Sequence, residues 1–295
     1  MATVTNRSPL GLGALLGRLW NRPRLWRRTA VSLVAASDVG TQRRNNEDYY
    51  LIADLVQTAA TIHGNEAFGT VLAAQPVLVV ADGMGGAAGG EVASGMAATV
   101  IWSQLGQASH ARRLRSSYRI RRSLLDAFRV ANDRIRACAA KSPDLVGMGT
   151  TATAATVLDS ELYVAHVGDS RAYLVRDRRA QRLTTDHSVL QHLIDSGATG
   201  AAAAAAEHRH ALLRALGPEA DVRVDVTCMP VEHGDIVLLC SDGVWSAIGD
   251  DELATIVGDA RDLRGTCSRL LALANERGGR DNATVLLARV ETVTD

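Results

Sequence analysis

"TTATAATVLDSELYVAHVGDSRAYLVRD", residues 150 to 177, is rich in β-branched and aromatic residues and is broken at Asp159-Ser160 and again at Gly168-Asp169-Ser170. Extended runs punctuated in this way read as consecutive antiparallel strands. Outward from it, "AVSLVAASDVG" at 30–40 reads as a strand ending in a turn and "PVLVVAD" at 76–82 as a buried strand. "DIVLLCSDG" at 235–243 and "NATVLLARV" at 282–290 add two more. Helices fall in pairs. Residues 89–105 suit a helix of small residues, and over 117–139 Ile120, Leu124, Phe128, Ala131, Ile135 and Cys138 recur at steps of three or four, opposite a face of arginines. A second pair falls near 250–258 and 262–276. Strands in runs and helices in pairs predict an α+β layered domain, not the alternating βαβ units of a parallel sheet.

Two segments resist this reading. Residues 53–75 show no clear period and are expected to be a loop with a short strand. "SGATGAAAAAAEHRH", 196–210, is of low complexity: its alanines favour a helix but offer nothing to anchor one, so a mobile segment is expected.

Bulk properties bound the function. The chain has 295 residues, 47% apolar and 22% charged, enough for a sizeable core. Basic and acidic residues balance at 32 each, so charge gives no warrant for a nucleic-acid partner. Cys138, Cys228, Cys240 and Cys267 are scattered without a C-x-x-C pair, which suits reduced thiols in a cytoplasmic protein better than disulfides or zinc. No apolar run reaches the roughly 18 residues of a membrane span. Residues 1–30 include "PLGLGALLGRLWNRPRLWRR", in which Arg18 interrupts the apolar stretch and no A-x-A-like site follows. A basic, mobile tail able to dock peripherally on a membrane is the expectation.

"VLVVADGMGGAAGGEVAS", 77–94, poses the chemical question. Gly83-Met84-Gly85-Gly86-Ala87-Ala88 fits the G-x-G-x-x-G/A spacing of dinucleotide-binding turns in the required strand-turn-helix setting. Yet no acid lies about 20 residues further on, and Asp82 would aim a negative charge at a pyrophosphate. The alternative is that Asp82 holds a metal. Acids recur at strand ends or adjacent turns: Glu47 and Asp48 in "NNEDYY", Asp82, Asp169 in "VGDSRAY", Asp242 in "CSDGVW" and Asp281 in "GRDNATV". Any one of them is explained as a turn residue or helix cap. Brought together they would repel, and shared protons or bound cations are the usual relief. All-oxygen ligands select hard ions, Mg²⁺ or Mn²⁺. Two such ions about 3.5–4 Å apart can hold a bridging water, lower its pKa and clamp a phosphoryl oxygen.

"SDVGTQRRNNEDYY", "VVADGMGGAAGGEVAS", "GMGTTATAATV", "AHVGDSRAYLVRD", "TTDHS", "LLRALG", "DIVLLCSDGVW" and "GRDNATVLL" occur in an order and approximate spacing that resemble the metal-dependent protein phosphatases, type 2C, and most of all their bacterial branch. The resemblance covers roughly residues 31–292. It implies a four-layer α-β-β-α sandwich, two mainly antiparallel sheets flanked by antiparallel helix pairs, as one catalytic domain over 31–293 with a flap at about 186–217. The implied activity is hydrolysis of phosphoserine and phosphothreonine in proteins by metal-activated water, opposing Ser/Thr kinases, with those kinases and their substrates as partners.

The resemblance also implies roles. Asp82 would bridge two Mn²⁺ or Mg²⁺ ions, and the Gly83 carbonyl would ligate one of them. Asp242 and Asp281 would complete the first shell, with Glu47 and Asp48 contributing directly or through waters. Asp169, with Asp242 shared, would form a third, weaker site. Arg43 would bind the substrate phosphate by a charge-assisted fork, Asn282 would support the Asp281 turn, and Gly89-Gly90 would let the following helix pack close to the sheet. Animal members carry a histidine, proposed as general acid, where this chain has Met84. A metal-bound water or His187 are the candidates left for that task. A catalytically silent binding module is the rival reading; loss of the metal acids would be its signature, and none is lost.

Overall fold

The computed structural model describes residues 28–55, 60–64, 71–85, 89–110, 114, 116–199 and 211–293. Along β5 (Pro76–Met84) successive side chains go to opposite faces. Leu78 and Val80 join Val31, Leu33, Leu239 and Leu286 in one buried cluster, whereas Val77 and Val79 join Ala97, Ile101, Leu124 and Phe128 in another. β1 (Arg28–Asp38) divides in the same way: Val31, Leu33 and Ala35 enter the first cluster, and Val34 and Ala36 pack with Leu253, Val257 and Leu270. Two sheets therefore share a core, and each covers its outer face with helices.

One sheet is completed by β4 (Val71–Ala73), β9 (Arg171–Arg176), β10 (Arg179–Arg182), β12 (Ile236–Cys240) and β13 (Ala283–Val293), in the order β10-β9-β12-β13-β1-β4. The other contains β2 (Asp48–Asp54), β3 (Ala60–Gly64), β7 (Ala152–Leu158), β8 (Glu161–Val167) and β11 (Asp225–Pro230), in the order β11-β8-β7-β5-β2-β3, with β6 (Gly149–Thr150) paired to β5. The pairings are antiparallel, and β1 and β13 run in register from Arg28↔Val293 to Asp38↔Ala283. α1 (Gly89–His110) and α2 (Ser117–Ala139) pack on each other outside the second sheet; α5 (Asp250–Gly258) and α6 (Leu263–Glu276) cover the first. Two short helices follow, α3 (Val189–Asp195) and α4 (Asp242–Trp245), the latter lying against β13 and α6. This is the α+β sandwich expected. On α2, Ile120, Leu124, Phe128, Ala131 and Ile135 are buried and Cys138 is half-buried, so the stripe is the core face.

Two expectations are corrected. The 150–177 strands are not one continuous meander. Asp159 and Ser160, both at positive φ, turn β7 back on β8 as a hairpin, but β9 lies in the other sheet beside β12. The reason is edge occupancy: β8 is already flanked by β7 and β11, so Gly168-Asp169-Ser170 is a crossing between sheets. Within 53–75 the structure has the end of β2 and two strands, β3 on β2 and β4 on β1, so this segment also changes sheet. Strands of five and three residues are too short to show a period. The tail expected at 1–30 is too long, since residues 28–30 already pair with β13 as the start of β1; residues 1–27, and 200–210 of the segment at 196–210, lie outside the described residues. Among the described residues no helix is long and apolar enough to cross a membrane.

Candidate metal centre

β2 starts at Asp48 and β5 ends just past Asp82, and these two residues are cross-strand partners. In the facing sheet β12 ends at Cys240, followed by Ser241 and Asp242, while Asp281 and Asn282 lead into β13, whose Val285 pairs with Cys240. Arg171 pairs with the same Cys240, which brings the crossing turn that carries Asp169 to this end of the sandwich. Antiparallel pairing thus gathers acids from both sheets at one edge.

Hydroxyl groups hold them there. Asp48 Oδ2 accepts hydrogen bonds from Ser241 Oγ and Thr284 Oγ1, each 2.6 Å and each from the opposite sheet. The Asp82 N–H donates to Thr151 Oγ1 at 3.0 Å, and its carbonyl accepts from Thr150 Oγ1 at 2.8 Å. Thr151 Oγ1 in turn meets Ser170 Oγ at 2.7 Å, beside Asp169. The start of α1 lies backbone to backbone on this edge. A Cβ on Gly83 would sit 2.2 Å from the Gly90 carbonyl oxygen, which excludes any side chain there, and one on Gly90 would sit 2.9 Å from the Gly83 carbonyl carbon and displace the Glu47 carboxylate. The Glu47 carbonyl accepts from the Gly83 N–H at 3.1 Å and from Ser94 Oγ at 2.7 Å.

The carboxylates are electrostatically unrelieved. Burial, then Asp48, Asp242, Asp169 and Asp281, hold the Asp82 carboxyl well above its ordinary range. Burial raises Asp48 to about 7 against the pull of its two hydroxyl donors, and raises Asp242 to about 6 with the charge of Asp281 behind it. Asp169 rises to about 8 through burial and the nearby Asp242 and Asp186; burial also raises Glu47. Asp82 and Asp242 are near enough for each to act on the other's carboxyl, a proximity that a proton or a cation between them would relieve. Asp48 Oδ1 and Asp242 Oδ1 are buried with no hydrogen-bond partner. Among the described residues no three histidine, cysteine, aspartate or glutamate side chains converge into a ready cage. Carboxylates with nothing positive between them stand apart: Asp48 leans on hydroxyls, and Asp281 Oδ2 pairs with Arg43 Nη2 at 2.6 Å.

The remaining candidates occupy defined positions. Arg43 is half-exposed on Asp281. Asn282 does more than support its own turn: its side-chain amide donates to Val39 O and Asn45 O and accepts from the Glu47 N–H, fastening the segment that bears Arg43 and Glu47. His187 is buried against the crossing turn. Its N–H donates to Gly168 O at 2.7 Å, its Nδ1 accepts the Gly168 N–H at 3.1 Å, and its Nε2 faces Asp225 Oδ2 at 3.1 Å.

Sequence reasoning missed the hydroxyl collar of Thr150, Thr151, Ser170, Ser241 and Thr284, although Ser170 and Ser241 stand next to acids in "GDS" and "CSD". It also missed Arg171, whose guanidinium forks onto Asp186 at 2.7–3.2 Å and lies 3.6 Å over the Trp245 ring. Trp245 Nε1 donates to Asp169 O at 2.9 Å.

Comparison with known proteins places the fold in a family. The family described as Protein phosphatase 2C matches residues 63–285. The serine/threonine phosphatase stp of Listeria welshimeri is 37% identical over 72% of this chain and 84% of its own. The S. agalactiae serine/threonine phosphatase structure superimposes with a TM-score of 0.76 at 30% identity, covering 88% of this chain and all of that one. The catalytic domain of the phosphatase PstP, solved in complex with two manganese ions, gives 0.68 at 31% identity over 89% of this chain and 99% of that one. The chain belongs to the protein phosphatase 2C family and is a metal-dependent serine/threonine protein phosphatase.

Proposed function

We propose that the acidic edge would hold two Mn²⁺ or Mg²⁺ ions, with Asp82 as the central ligand. Asp242, Asp281 and the Gly83 carbonyl would be further ligands, and Glu47 and Asp48 would contribute directly or through waters. Asp169, with Asp242 shared, offers a third, weaker position. The observation that carries this reading is the pair of buried, unpartnered oxygens, Asp48 Oδ1 and Asp242 Oδ1, on carboxyl groups whose ionisation burial opposes. Hard oxygen donors without histidine or thiolate suit such ions, and the two manganese ions of the PstP catalytic domain support the number. Bound there, the ions lower the pKa of water and stabilise charge on phosphoryl oxygens.

The chain's own groups bind and orient. Arg43 leaves Asp281 to fork onto two phosphate oxygens, a planar fit that frees the Asp281 carboxylate in the same movement. Thr150 and Thr151 fix the Asp82 backbone, and Asn282 fixes the Arg43 and Glu47 segment. The nearby thiol, Cys240, is buried and pushed up to about 12, which makes it inert as a nucleophile, so the phosphoryl group passes to water. The Gly168 N–H occupies Nδ1 of the His187 ring, and Asp225 Oδ2 and Arg214 Nη1 both stand at Nε2, at 3.1 and 3.0 Å, so the buried ring braces the Asp169 turn instead of protonating the leaving oxygen.

Residues 31–293 act as one catalytic unit with 186–217 as its flap, reversing the work of Ser/Thr kinases in the cytoplasm. The full chain should release phosphate from a phosphothreonine peptide with Mn²⁺ or Mg²⁺, and calorimetry should show Mn²⁺ binding that Asp82→Asn removes. An unchanged rate in EDTA would overturn the assignment.

A further inference from the structure

A groove of about 490 Å³ opens along the first three turns of α1, lined at one end by Asp48 and Glu91 and further on by Tyr49, Gly95, Met96 and Val100. It adjoins the acidic edge: Asp48 is among its lining residues, although its Oδ2 turns across the sandwich to Ser241 and Thr284, and Glu91 lines the groove while its charge acts on the Glu47 carboxyl. Its width comes from Gly95, whose missing side chain leaves the Tyr49 ring, 3.5 Å from where a Cβ would stand, as a wall. Beyond Glu91 the lining turns apolar, and Val92 remains 38% exposed.

We infer that this groove receives the segment of the phosphoprotein that flanks the phosphorylated residue and selects it by chemistry. The exposed Glu91 carboxylate favours a basic residue beside the phosphoserine or phosphothreonine, and the wall of Tyr49, Met96 and Val100 takes an apolar side chain further along. Length agrees. Residues 91 to 100 rise about 14 Å along the helix, which an extended peptide covers in about four residues at ~3.3 Å each. The inference rests on the acidic edge being the catalytic centre, since only then does the groove begin where the phosphate sits.

The test compares three substrates on the full chain with Mn²⁺. The first is a phosphothreonine peptide with arginine next to the phosphothreonine and leucine within four residues, made with leucine on either side. The second is the same peptide with aspartate for leucine, and the third is p-nitrophenyl phosphate, which has no flank. The leucine peptide should show a KM about tenfold lower than its aspartate partner, the usual discrimination of an apolar pocket. Gly95→Leu, which fills the groove from a position with room for a Cβ, and Val92→Glu should each erase that advantage while kcat and the p-nitrophenyl phosphate rate stay within twofold. Equal KM values in the parent chain would overturn the inference, as would variants that slow both substrate types alike. So would a concentration-dependent dimer dissolved by Gly95→Leu, which would assign the groove to a second copy. Failure of the parent chain to hydrolyse p-nitrophenyl phosphate with Mn²⁺ would sink the catalytic reading itself, a separate result.

Discussion

The two ends of β12 handle buried acid in opposite ways. Before the strand, Asp235 is 2% exposed and is gripped by Arg176, Nε at 2.7 Å and Nη2 at 2.6 Å, with the Glu232 N–H as a further donor. After the strand, Asp242 is buried beside Asp82; among the described residues neither forms an ion pair with an arginine, and Asp242 Oδ1 has no hydrogen-bond partner. Arginine was not scarce in this chain, and the same fork recurs where Arg171 holds Asp186. A sequence that neutralises its buried carboxylates internally at one end and leaves them opposed at the other has set the second end apart for cations from outside.

The sharpest way to break that comparison is Asp82→Asn. Loss of the central carboxylate should lower kcat with Mn²⁺ by ~10³-fold or more, yet raise the melting temperature of the metal-free chain, because the variant removes a buried repulsion; circular dichroism and phosphate release read the two effects separately. A variant that melts lower without metal would show that the acids are not opposed. At the other end Asp235→Ala should cost about 2 kcal/mol in urea unfolding, near the low side for a buried pair because Arg176 is 38% exposed and can rehydrate. Its Mn²⁺ dependence should not move. Arg43→Gln should lower kcat/KM about tenfold, the loss of a charge-assisted contact. The same change should tighten Mn²⁺ binding in a calorimeter, since Asp281 loses its competitor; weaker binding would refute the exchange of Arg43 between Asp281 and phosphate.

The smallest expected effect is the slope with pH. Asp48 at about 7, Asp242 at about 6 and Asp169 at about 8 all lie above the ~3.9 of an unfolded chain. The folded form therefore holds more protons than the unfolded form between roughly pH 4 and pH 8. Their contribution to stability is fully present below the unfolded value and is lost as pH rises through the folded ones. Melting temperatures of the metal-free chain should fall by a few degrees from pH 5 to pH 8.5, Mn²⁺ should cancel the fall, and Asp82→Asn should flatten it.

Much of this was legible in the residues. Long periodic segments such as 117–139 and uninterrupted apolar runs such as 76–82 declare their structure locally, and acids at strand ends declare themselves as turn or site residues. Sheet membership was not legible. Gly168-Asp169-Ser170 has the composition of a hairpin turn, and only the distant β11, by occupying the free edge of β8, makes it a crossing. The collar of Thr150, Thr151, Ser241 and Thr284 was hidden for a related reason: threonine and serine in or beside a strand read equally well as sheet formers, and their partners come from another layer. Arg171 could not be told from the chain's many solvated arginines until Asp186 and Trp245 were seen beneath it.

The hydrogen bonds from Ser241 and Thr284 to Asp48 have a consequence for assembly. Asp48 and Asp82 arrive with one sheet, Asp242 and Asp281 with the other, and the turn at Asp169 joins the two. A chain with either sheet formed alone owns half of the acids. Cation uptake is thus a readout of docking: refolding followed by Mn²⁺ binding should lag behind refolding followed by strand signal, and the interval between them times the closure of the sandwich.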